Sequence, residues 1–214
     1  MQKKPAISGL YAITPEAPGI KGTAQLLVNT RAALAGGAQI VQYRSKSPDI
    51  AFKHEQAAEL LDLCRDFRVP LIINDDVRLA ALIDADGVHL GQDDRRLIEA
   101  RINLGPDKII GVSCYQDLAR ALRFEAEGAD YVAFGSFYPS ITKPGARACP
   151  LSLLVEAKTQ LRLPVVAIGG ITLDNAQSLV DAGADAIAVI SALFDAPNIE
   201  ACAQAFSDLF ATRH

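Results

Sequence analysis

Tryptophan is absent from this sequence, and no basic run is interleaved with aromatic residues, so the pattern that recognises nucleic acid is missing. Nor does any apolar run approach the ~18 residues that a membrane-spanning helix needs. The opening residues, Met1-Gln2-Lys3-Lys4-Pro5, lack the apolar core of a secretion signal, and a cytoplasmic location is expected. Cysteine is sparse: Cys64, Cys114, Cys149 and Cys202 lie far apart with no C-x-x-C pair. That spacing argues against a thiolate zinc site or a disulfide framework and leaves reduced, structural thiols. A Cys-His or Ser-His pair positioned for nucleophilic catalysis is not apparent either. No linker rich in Pro, Gly or Ser divides the chain, and no G-x-G-x-x-G follows the first strand-like run.

What is present points to one well-buried domain over residues 1–214. Half the residues are hydrophobic, and the 21 basic and 25 acidic side chains are interspersed, for a net charge of -4. Small-molecule partners are favoured over nucleic acid or membrane, and assembly into a homo-oligomer is compatible with this composition.

One phrase recurs, a small-residue turn followed by an apolar run: GGAQIVQYR (36–44), DADGVHLG (84–91), EGADYVAFG (127–135) and DAGADAIAVI (181–190). Glycine can end a helix in the left-handed conformation, and the apolar run then begins a strand. GLYAIT (9–14), PLIIN (70–74), KIIGVSC (108–114) and PVVAIGG (164–170) bring the strand-like runs to eight. Amphipathic stretches separate them, among them 24–35, 50–67, 117–127 and 173–182, while Pro15, Pro18 and Gly19 mark the first loop. Strands apolar on both faces are covered on both sides, so they run parallel through helical crossovers. Eight such units predict a (β/α)8 TIM barrel of the α/β class.

In that fold the residues after each strand converge on one face. Alternation puts Gln42, Arg44 and Lys46 on one side of an extended segment. Asn74-Asp75-Asp76 and Gly91-Gln92-Asp93-Asp94 follow the next two strands; their acids fit either helix caps or oxygen ligands for Mg²⁺ bridging a diphosphate. Ser113 adds a hydroxyl, and the long segment after the sixth strand offers Ser140, Thr142 and Lys143 to anionic oxygens. Gly169-Gly170 and Ile190-Ser191 end the seventh and eighth strands, where this fold commonly cradles phosphate. Tyr11 and Tyr43 fit core or pocket wall, and His89 reads as a packed, hydrogen-bonded residue.

With these residues in hand the chain resembles the thiamine phosphate synthase family over nearly its whole length. The matching motifs are QYRSK (42–46), INDD (73–76), GVHLGQDD (87–94), GVS (111–113), FYPSITKPGA (137–146), IGGI (168–171) and VIS (189–191). The resemblance implies a transferase on a thiamine phosphate synthase type barrel. It would join 4-amino-2-methyl-5-pyrimidinylmethyl diphosphate to a thiazole monophosphate, with Mg²⁺ as cofactor. Carried over by position, Gln42, Tyr43, Arg44, Ser45, Lys46, Asn74, Ser113 and Lys143 would bind the pyrimidine diphosphate. Ser140, Ile141, Thr142, Gly170, Ile190 and Ser191 would bind the thiazole phosphate, and Asp75 and Asp94 the metal. Lys143, Ser113, Arg44 and Lys46 would act in catalysis. Rival readings are a thiazole tautomerase-like isomerase, a non-catalytic thiamine-pathway ligand-binding barrel and another phosphate-binding barrel such as a sugar-phosphate isomerase or epimerase.

Overall fold

The computed structural model of the protein describes residues 4–91, 96–139 and 148–211. Each apolar run forms a strand: β1 (Gly9–Ile13), β2 (Ile40–Tyr43), β3 (Leu71–Asn74), β4 (Gly87–Leu90), β5 (Ile109–Tyr115), β6 (Tyr131–Gly135), β7 (Val165–Ile168) and β8 (Ala186–Val189). Every strand pairs in parallel with its sequence neighbours, and β8 returns to β1 in the register Gly9↔Ala186, closing the (β/α)8 barrel the sequence predicts.

The helices follow the amphipathic stretches. They are α1 (Gly19–Ala35), α2 (Ile50–Phe67), α3 (Val77–Leu82), α4 (Arg96–Leu104), α5 (Leu118–Ala126), α6 (Leu151–Gln160), α7 (Leu173–Asp181), α8 (Ser191–Phe194) and α9 (Ile199–Ala211). Caps set several starts: Asp49 accepts from the Phe52 N–H, Asp76 from Leu79 and Asp117 from Arg120. α1 begins at Gly19, five residues earlier than the apolar pattern suggests, directly after Pro18. No helix among the described residues is long and apolar enough to cross a membrane. None of the four cysteines is joined in a disulfide, and Cys64, Cys114 and Cys149 are buried; burial, helped by Asp86, pushes the Cys64 thiol up to about 12.

Strand alternation sorts side chains into two cores. Leu10, Val41, Ile73, Val88, Val112, Phe134 and Ile187 point out to the helices. Tyr11, Ile13, Ile40, Ile72, Ile109, Tyr131, Val166 and Ala186 fill the barrel, with Ile7 among them from the segment before β1.

The recurring phrase has a job at the end where strands begin. Asp86, Asp130 and Asp185 each donate their N–H to the carbonyl of Leu71, Ile110 and Val165. Each carboxylate then accepts the N–H of that same residue, at 2.9, 2.8 and 2.7 Å. Cations complete two of these clamps: Lys4 and Arg101 on Asp130 at 2.6 and 2.7 Å, and Lys158 on Asp185 at 2.6 Å.

Candidate active site

The polar inward positions lie toward the opposite end, where strands terminate. Gln42 on β2, Asn74 on β3, His89 on β4 and Ser113 on β5 line a cavity of about 440 Å³, with Ile13, Ala133, Val166, Ile168 and Ala188 as apolar wall. Its floor is a hydrogen-bonded chain. Gln42 Nε2 donates to the Tyr11 hydroxyl at 2.8 Å, which meets the Tyr131 hydroxyl at 2.8 Å. Tyr131 meets His89 Nδ1 at 2.9 Å, and His89 Nε2 meets Ser113 Oγ at 2.9 Å. Burial pushes both phenols above their ordinary range, so they stay protonated at neutral pH. The His89 ring stacks on Tyr131, centroids 5.5 Å apart.

A Ser-His pair therefore exists, contrary to the reading of the sequence. Its members are 24 positions apart and meet because β4 pairs with β5 at His89↔Gly111, a register that linear spacing does not reveal. Gly111 also makes room for this floor: a Cβ there would lie 1.9 Å from Tyr131 Cζ.

Beside the cavity runs a more polar cleft lined by Arg44, Ser45, Lys46, Asn74, Asp75 and Asp76. Arg44 and Asn74 line both spaces, whereas Lys46 lines only the cleft. Asp75 sits at φ 61°, a left-handed conformation that Asp tolerates better than most side chains. Its N–H donates to the His89 carbonyl at 2.8 Å, while its carboxylate accepts from Gly91 N–H at 3.0 Å and Asn74 Nδ2 at 2.8 Å. A carboxylate oxygen fixed in orientation suits a hard dication. Among the described residues no three His, Cys, Asp or Glu side chains converge, and Asp94 lies outside those residues.

Across the cavity mouth stand Gly169, Gly170, Ile190 and Ser191. Gly170 has φ 65°, and a Cβ there would come within 2.3 Å of the Pro139 carbonyl oxygen, so glycine is required by packing as well as by any anion. Tyr138 pins the start of the loop after β6, its hydroxyl 2.8 Å from Ser178 Oγ. Ser140, Ile141, Thr142 and Lys143 lie outside the described residues.

Tyr43 has its phenol committed elsewhere: it turns out of the barrel and donates to Gln56 Oε1 at 2.9 Å. Alternation from inward Gln42 carries the signal for that orientation. Glu16 escaped the sequence reading. Its carboxylate accepts the Lys46 N–H at 3.0 and 3.1 Å and lies 3.5 Å from Arg44 Nη1, tying the β2 loop to the β1 loop.

The family model described as thiamine monophosphate synthase matches residues 10–193. A thiamine-phosphate synthase of Thiobacillus denitrificans is 58% identical over 203 residues, covering 95% of each chain. One of Methylobacillus flagellatus is 56% identical over 206 residues, covering 96% of this chain and 97% of its own. Among solved structures, thiamine phosphate pyrophosphorylase from Pyrococcus furiosus superposes with a TM-score of 0.84 at 34% identity, covering 95% of both chains. A model spanning nearly the whole barrel, with relatives that match from end to end, establishes that this chain belongs to the thiamine monophosphate synthase family.

Proposed function

We propose that this protein joins 4-amino-2-methyl-5-pyrimidinylmethyl diphosphate to a thiazole monophosphate, giving thiamine phosphate and pyrophosphate. The observation that carries the reading is the reach of one cavity, from Arg44, Asn74 and Ser113 on one side to Gly170, Ile190 and Ser191 on the other. Two anionic groups can be held apart there while the rings meet against the apolar wall between them.

Arg44, Lys46, Asn74 and Ser113 hold the diphosphate, with Lys143 from the loop after β6. Asp75 and Asp94 would hold Mg²⁺, which when bound supplies positive charge to the diphosphate oxygens. The bond from the pyrimidine methylene carbon to the diphosphate oxygen breaks, and its electron pair leaves with pyrophosphate. The aminopyrimidine ring delocalises the positive charge until the thiazole nitrogen forms the new C–N bond. Charge grows on the departing oxygens during this step, so Arg44, Lys46 and Ser113 stabilise the transition state more than the ground state. The apolar wall keeps water from the cation.

The test incubates the protein with both substrates, each alone and together, with and without Mg²⁺, and quantifies pyrophosphate and thiamine phosphate. Equal yields of the two products, only with both substrates and metal present, are expected. Pyrophosphate release without thiamine phosphate, or rearrangement of the thiazole phosphate alone, would overturn the assignment.

A further inference from the structure

The floor of the cavity contains a serine and a histidine 2.9 Å apart, the pairing that in many enzymes makes a nucleophile. In such a pair the imidazole accepts the serine proton at one nitrogen and donates a hydrogen from the other to a carboxylate. Here the other nitrogen faces a phenol, Tyr131, which has one hydrogen to give.

The direction of the chain follows from counting hydrogens. With its amide oriented as in the structure, Gln42 Nε2 can only donate, so Tyr11 accepts. The Tyr11 hydroxyl is buried, and its remaining partner is the Tyr131 hydroxyl, to which its own hydrogen must go. Tyr131 is fully buried and, having accepted that bond, sends its hydrogen to His89 Nδ1. The imidazole proton is then on Nε2 and points at Ser113 Oγ. Reversing the last links would give Tyr11 two donors and leave its own hydrogen buried with no acceptor, a cost of about 1–3 kcal/mol.

We infer that His89 is a positioning residue. It donates from Nε2 to Ser113 and thereby turns the Ser113 hydrogen into the cavity as a donor to an acceptor atom of the pyrimidine diphosphate. Ser113 is thus an oriented hydrogen-bond donor and not a nucleophile. The part of this inference that concerns substrate rests on the reaction proposed above; the tautomer does not.

Two measurements test it. In protein labelled with 15N-histidine, the ring-nitrogen pattern of His89, assigned by its disappearance in His89→Gln, is read without substrate. The Nε2–H tautomer is expected, with its preference weakened in Tyr131→Phe; an Nδ1–H tautomer would overturn the inference. The second is a cycle of His89→Leu, Ser113→Ala and the double variant. Each single change should lower kcat by about 10- to 100-fold, the double should be no slower than the slower single, and His89→Gln should recover most of the loss. Multiplying losses would mean that His89 does not act through Ser113. Should wild-type protein form no thiamine phosphate, the proposed reaction falls while the spectrum still decides the His89 assignment.

Discussion

At the end of the barrel where strands begin, Asp130 accepts the Ile110 N–H and two cations, Lys4 and Arg101, and Asp185 accepts the Val165 N–H and Lys158. At the end where strands finish, Asp75 accepts from Asn74 Nδ2 and the Gly91 N–H and sits in a left-handed conformation. The residue type is the same, and its surroundings differ. A carboxylate neutralised by nearby cations and bonded to strand backbone holds the barrel closed. Under the proposed reaction, the one held by Asn74 and Gly91 at the cleft would instead serve a cation that arrives with substrate.

The largest effect that could break this contrast is on turnover. Asp75→Asn keeps an acceptor for Gly91 and a side chain that tolerates positive φ, but loses the charge. Synthase activity at saturating Mg²⁺ should drop by about 10²- to 10³-fold while the melting temperature stays within roughly 3 °C of wild type. A large loss of stability here would erase the distinction. Asp130→Ala should do the reverse, since it strands the Ile110 N–H and two cations. About 2–4 kcal/mol of stability should be lost, seen as a melting temperature lower by roughly 5–10 °C, with kcat and KM unchanged.

Gly111→Ala probes where the two ends meet. Its new Cβ would displace the Tyr131 ring, so about 1–3 kcal/mol of stability and a measurable part of kcat should fall together. Denaturant melts and steady-state rates on the same sample would check this. If kcat were untouched, the floor of the cavity would be packing alone.

The smallest effect belongs to Asp76, which caps α3 and pairs with Lys53 at 3.1 Å. Burial pushes its carboxyl up, but the Leu79 N–H and the Lys53 ammonium outweigh burial and hold it below its ordinary range. A depressed carboxyl contributes stability above its unfolded pKa of about 3.9, lost as pH falls through the folded value. Lys53→Met should therefore cost at most about 1 kcal/mol near pH 7, because the pair is partly exposed to solvent. Urea melts of both proteins should begin to approach each other as pH falls below about 4 and meet once it has passed the depressed folded value.

Much of the fold was legible because it is written locally. Continuous apolar runs marked all eight strands, and α2 begins and ends where its apolar pattern does. The capping preference of Asp explains Asp76 and Asp117, each followed directly by a helix. The site was legible only in part. The convergence of Gln42, Arg44, Asn74, Ser113, Gly170, Ile190 and Ser191 on one cavity follows from their places at strand ends. The outward turn of Tyr43 was available from alternation, whereas the Glu16 bond to the Lys46 N–H had no sequence signal, because two loops meet there only after β1 and β2 pair.

By itself, then, the sequence determined the number and order of the strands, their two apolar faces and the family motifs at their ends, because each depends on residues close together in the chain. The tertiary structure alone decided which side chains share the interior. Closing the barrel fixes the register between neighbouring strands, and that register brings Gln42, Tyr11, Tyr131, His89 and Ser113 from five different strands into one hydrogen-bonded chain.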